Sequence, residues 1–222
     1  MPGIRRIARI DLEAFATNVA GASSFDGRAD AYGHSLELVA PVAHAAGVRE
    51  VLVSDDRDAT IAAAAGLTPV VGRLSPAALP DVDAYGLAGG TPVMTLTGEI
   101  IAVKRVGAGA GVSYGYTFRT EAPTHLALVG LGYADGIPRL ASNRAEVAIA
   151  GRRLPVVGRV AMDQFVVDTG QVAAEPGDEV VLFGAGSTDD VPRASEWGAW
   201  TGRAARAVTA GLGPRIRREA RA

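Results

Sequence analysis

The sequence predicts an α/β unit followed by an all-β domain, and three observations carry that prediction. From about residue 24 to 87 short apolar runs alternate with helical patterns, which implies βα units and a parallel sheet. From about Pro92 the texture changes to valine-rich runs divided by glycine turns. Between the two lies "GLAGGTP", Gly86 to Pro92, a Gly/Pro-rich link that places the boundary near residue 90, giving units 1–90 and 91–222. At 222 residues, 48% hydrophobic and 21% charged, the chain has enough apolar surface to bury a substantial core.

Each element has its own justification. "RIARIDL" alternates as a strand, and "EAFATNVA" follows with helical spacing. "EVLVS" (Glu50 to Ser54) and "TPVVGR" (Thr68 to Arg73) are short apolar runs of buried-strand type. "LELVAPVAHAAG" and "DATIAAAAG" read as helices stopping at Gly47 and Gly66, with Ser54 and Asp55 as N-cap candidates for the second. In the β domain the strands are expected in "PVMTLTGEIIAVKRV", "HLALVGLGY", "AEVAIAGRRLPVVGRVAMDQFVVDT" and "GDEVVLFG", with a hairpin at Gly151-Arg152. "ASEWGAWTGRAARAV" reads as one last helix, with Trp197 and Trp200 at i, i+3 anchoring it to the core.

Charge and composition exclude several function classes. A net charge of −2 and a pI near 5.9 leave no electrostatic footprint for nucleic acid or an anionic membrane, and the C-terminal arginines (Arg215, Arg217, Arg218, Arg221) read as a solvated tail. The absence of cysteine removes disulfides and thiolate metal sites. His34, His44 and His125 have no ligand spacing and are read as structural or solvated, so no metal is expected. No apolar run approaches membrane-spanning length, and the N-terminus lacks a continuous apolar core, which points to a cytoplasmic protein. Lys104 is the only lysine, and its alternating strand "IIAVKRV" places it toward solvent.

"GRADAYGHS", Gly27 to Ser35, resembles the cofactor loop of the alanine racemase family, in which a lysine stands where this chain has Arg28. "GVSYGYTF", "LGYADGIPR", "GRRLPVVGRVAMDQFVVD" and "PGDEVVLFG" resemble that family's C-terminal β domain, in the family's order. The resemblance implies an N-terminal eightfold βα barrel of TIM type holding pyridoxal phosphate. Such a barrel needs roughly 250 residues, and only about ninety precede Pro92. The expected fold is therefore a truncated half barrel followed by the β domain. "GRADAYGHS" resembles the end of the first barrel strand, residues 47–73 the second and third strands, and "LPDVDAYGL" the eighth, for a four-stranded order 3-2-1-8.

The resemblance also assigns roles. Arg28 replaces the lysine that holds the cofactor; a guanidinium stays protonated and cannot serve as the amine nucleophile. Leu79 falls where the family's arginine contacts the pyridine nitrogen, and Asp81 where a glycine amide approaches the phosphate. Tyr114 matches the family's second catalytic base, Tyr32 a phosphate contact, and Tyr133, Met162 and Asp163 residues lining the neighbouring subunit's site. The bland alternative for Tyr114 is a buried core tyrosine with a satisfied hydroxyl. The expectation is a protein without racemase activity or cofactor, acting as a binding or interaction module in a head-to-tail homodimer or with a full-length alanine racemase. The competing expectation is a pyridoxal phosphate-dependent alanine racemase.

Overall fold

The structure, a computed structural model, describes residues 3–72, 82–185 and 190–221. The chain divides into two compact units: Met1–Ala8 with Thr95–Arg217, and Arg9–Met94 with Arg218–Ala222.

β1 (Arg6–Asp11) begins in the first of these and ends in the second, where it leads into a helix over Leu12–Asn18, whose first turn is capped by the Asp11 carboxylate accepting from the Ala14 amide at 2.8 Å. β2 (Ser24–Asp26), β3 (Glu50–Val53) and β4 (Thr68–Val71) form a parallel sheet in the order β2-β3-β4. Helices over Leu36–Ala45 and Asp56–Ala64 make the crossovers. Asp55 caps the second of these by accepting from the Asp58 amide at 3.0 Å, as the sequence indicates. Val51 and Val53 are fully buried, and Phe15 meets Phe25 of β2 edge-on at 5.6 Å.

The expected fourth strand is not formed over the part of "LPDVDAYGL" that is described. Val82 to Leu87 make a loop, because the Asp83 carboxylate accepts from the amides of Leu87, Ala88 and Gly90 at 2.8–3.0 Å and curls the backbone around itself. Leu79 and Asp81 lie outside the described residues.

The other unit is a closed antiparallel β barrel. Its strands are β5 (Met94–Val106), β8 (Thr124–Val129), β9 (Glu146–Ile149), β10 (Arg152–Val157), β11 (Phe165–Asp168) and β12 (Glu179–Phe183). They run in the order β12-β9-β10-β11-β8-β5, and β12 pairs again with β5 to close the ring. Closure leaves no free edge between β12 and β5. A short ribbon of β6 (Gly111–Val112) and β7 (Phe118–Arg119) stands apart from it. The β9–β10 hairpin turns at Ala150-Gly151, one residue before the position read from sequence, with φ of 49° and 70° as a two-residue primed turn requires.

The single last helix is two, Ala194–Thr201 and Ala205–Ala210, separated at Gly202. Trp197 is the core anchor expected, its indole N–H donating to Leu182 O at 2.7 Å; Trp200 is half-buried with the Arg153 guanidinium over its ring. The C-terminal arginines are not a solvated tail. Arg217–Arg221 form the last strand, β13, Arg218 is half-buried with Nε donating to Gly33 O at 3.2 Å, and Arg215 pairs with two carboxylates.

Candidate functional site

Residues 26–35 of the α/β unit carry the first candidate site. After β2 the backbone enters a left-handed helical turn: Ala29, Asp30, Ala31 and Tyr32 have φ of 54°, 53°, 55° and 49°. For non-glycine residues this costs roughly 1–2 kcal/mol each, so the surrounding contacts must over-determine it. They do so with named bonds. Ala31 N–H donates to Gly27 O at 2.9 Å and Gly33 N–H to Ala29 O at 3.0 Å. The Asp30 carboxylate takes the Leu36 amide at 2.8 Å. The fully buried His34 donates from Nδ1 to Ala31 O at 2.9 Å, leaving Nε2 without a hydrogen-bond partner. Burial pushes the His34 pKa down to about 4, against weaker opposition from the two carbonyls its ring faces.

The turn aims Arg28 and Tyr32 at one carboxylate. Arg28 Nε and Nη2 donate to Asp26 Oδ1 and Oδ2 at 2.8 and 2.5 Å, a two-pronged pair, and the Tyr32 hydroxyl donates to Oδ2 at 2.6 Å. Burial tends to raise the Asp26 pKa, but the bonds from the Arg28 side chain, Tyr32 and the Arg28 amide together hold it below its ordinary value. Donation to Asp26 is the main reason the Arg28 pKa moves further up, while burial, and then donation to Asp26, raise that of Tyr32. Tyr85 completes the cluster: its hydroxyl donates to Asp26 O at 2.7 Å, and its ring stacks on His34 at 4.5 Å and meets Tyr32 edge-on at 5.6 Å. These residues do not fit a covalently held pyridoxal phosphate. Arg28 offers no amine, its fork is engaged by Asp26, and the Tyr32 proton is given to that same carboxylate.

The barrel unit carries the second candidate site, where three loops meet. Ser113 Oγ donates to Arg159 O at 2.7 Å, joining the loop that holds Tyr114 to the one that leads to Met162. The amides of Tyr133 and Ala134 donate to the carbonyls of Ala161 and Met162 at 3.0 and 2.9 Å. A side chain at Gly132 would run into Met162 O at 2.3 Å, so this approach requires glycine. Below the loops Asp135, fully buried, accepts from the Gly132 amide, from Arg215 Nε at 2.8 Å and pairs with Arg6 at 3.3 Å; Arg215 reaches on to Asp163 at 2.7 Å. Tyr114 is 78% exposed, Tyr116 64%, Met162 53% and Tyr133 40%. The core-tyrosine alternative for Tyr114 therefore fails: this is a surface aromatic.

The sequence thus led to Arg28, Tyr32, Tyr114, Tyr133, Met162 and Asp163 and missed the groups that fix them. Asp26, two residues before Arg28, was the available signal for the clamp; nothing local marks Tyr85 as its neighbour. Among the described residues no group of three His, Cys, Asp or Glu could hold a metal, and no helix is long and apolar enough to cross a membrane.

A closed β barrel with clustered loop tyrosines, preceded in sequence by parallel βα units, defines the class: a protein of α/β-plus-β-barrel build. The family description "Alanine racemase, C-terminal domain" matches residues 93–220, and the chain belongs to that family. It is 51% identical over 124 residues to the alanine racemase of Thermobifida fusca, covering 56% of this chain and 32% of that protein. To the alanine racemase of Frankia casuarinae it is 42% identical over 187 residues, covering 73% and 48%. The chain thus spans about a third to a half of the length of these curated relatives. Its fold matches that of the alanine racemase from D-cycloserine-producing Streptomyces lavendulae with a TM-score of 0.87 at 24% identity, an alignment covering 100% of this chain and 98% of that one. The alanine racemase of Streptomyces coelicolor A3(2) matches with a TM-score of 0.83 at 25% identity, covering 97% and 98%.

Proposed function

We propose that this chain is a member of the alanine racemase family that does not racemise alanine and acts as a cytoplasmic interaction module, its α/β unit the remnant of a larger barrel. The observation that carries the reading is the Asp26–Arg28–Tyr32 clamp, in which the group at the lysine position is a cation committed to a carboxylate. Arginine at this position cannot supply the nucleophilic amine. The strained turn that presents it persists, which is the state of a site whose scaffold has outlived its chemistry.

The exposed ring of Tyr114, Tyr116, Tyr133 and Met162 supports the interaction role, since aromatics and methionine clustered at a surface are the residues interfaces favour. A head-to-tail homodimer is the simplest closed assembly for it; a complex with a full-length alanine racemase would use the same surface. The competing reading, a pyridoxal phosphate-dependent racemase, rests on the names of the relatives and on the retention of Tyr114, Tyr133 and Asp163. Sedimentation velocity at micromolar concentration is expected to give a dimer, and Tyr114→Ala to shift it toward monomer by at least about tenfold in Kd. A monomeric wild-type protein that also ignores a full-length racemase would refute the interaction role.

A further inference from the structure

We infer that the barrel unit has a binding site for a small amphipathic carboxylate, in a cavity of about 310 Å³ roofed by the segment Gly111–Ser113 over strands β5, β8 and β11. Cross-strand partners share a sheet face. Lys104 lies opposite Leu126, and Ala102 and Val166 both lie opposite Leu128, so all five residues face the same side. Leu126, Val112 and Val157 form a buried cluster with Val106, Phe118 and Val166 packed against it, and of these Leu126, Val112 and Val166 line the cavity and make that part of its wall apolar. Its remaining wall includes Phe165 and Ala161.

The polar groups of this cavity are few and mostly committed. Ser113 donates to Arg159 O. Asp168, the β11 partner of Leu126, is committed elsewhere, accepting from Thr124 and from the Gly170 amide. Lys104, the one lysine of the chain, lines the cavity and is exposed, and among the described residues it makes no ion pair. An apolar hollow with one available cation and a Gln164 amide at its edge is complementary to a single anionic group on a hydrocarbon or aromatic body. The volume suits a ligand of about a dozen non-hydrogen atoms. This site owes nothing to the cofactor loop, which belongs to the other unit.

The test is calorimetric titration of the full chain with 4-phenylbutyrate and, in parallel, its uncharged amide. The acid is expected to bind with saturation at one site, and the amide about fivefold more weakly, as one charge contact at a partly solvated site gives. Lys104→Gln should abolish that difference without changing the melting temperature, since the side chain is exposed. Ala102→Trp, which fills the cavity from its rim, should remove binding of both. No saturable binding up to millimolar concentration, or equal affinity for acid and amide in the wild type, or an acid preference that survives Lys104→Gln, would each overturn the proposal.

Discussion

Replacing Asp135 by alanine is expected to destabilise the protein by about 3–5 kcal/mol, the range for removing one partner of a buried charge network. Asp135 has no exposed surface, and its two oxygens gather the Gly132 amide, Arg6 and Arg215. Without the carboxylate, Arg6, itself only 16% exposed, keeps its desolvation but loses its counter-charge. The Gly132 amide is left unsatisfied in the interior. The same carboxylate holds the turn that brings Tyr133 against the Met162 loop, so the exposed aromatic surface should lose its shape along with the stability. Denaturant unfolding of Asp135→Ala measures this. A loss under about 1 kcal/mol would show that the network is no more than a surface ion pair.

Acid is expected to destabilise the fold through His34. A histidine that titrates near 6.5 when unfolded and only at about 4 when folded is bound to its proton more readily by the unfolded chain. Its contribution is complete above pH 6.5 and is lost as the pH falls from 6.5 to 4, by about 3 kcal/mol in all. Asp26, whose pKa is lowered, acts in the same sense but only below the ordinary carboxylate range, so the two windows separate. Unfolding free energies between pH 7 and pH 4.5 should therefore fall in the wild type and be much flatter in His34→Gln. Equal slopes would mean that the ring is reached by water. Because His34 also pins the Ala31 carbonyl, the variant should be less stable at pH 7 as well, and the slope rather than the offset is diagnostic.

What could be read from the sequence follows the range of the interactions concerned. The helix begun by Asp55, the parallel strands at Glu50 and Thr68 and the valine-rich barrel strands were legible because each is set by local periodicity and capping. The left-handed turn was not: nothing in "RADAY" favours positive φ, and the conformation exists because His34, Asp30 and Gly27 bond to it after the chain has folded. "LPDVDAYGL" alternates as a strand does, but over its described residues 82–87 the chain loops, because the Asp83 carboxylate out-competes a strand for three backbone amides. Arg215 was read as a solvated tail residue because its partner Asp135 lies eighty positions away. The candidate site divides in the same way. Arg28 and Tyr114 could be picked out by comparison with a family pattern, whereas the state of each, one clamped by Asp26 and the other standing in solvent, depends on contacts that no motif encodes.

Whether the Arg28 clamp closes this chain to its family's cofactor chemistry is decided by incubating the protein with pyridoxal phosphate, removing free cofactor by gel filtration, and recording the absorbance and, after borohydride reduction, the intact mass. Lys104 is the only lysine, so any adduct can be assigned by a single digest. The expected result is no violet band eluting with the protein, no stoichiometric mass increase and no alanine racemisation, with Arg28→Lys alone failing to restore turnover. A violet band that stays with the wild-type protein and accompanies racemisation sensitive to Tyr114→Phe would contradict it.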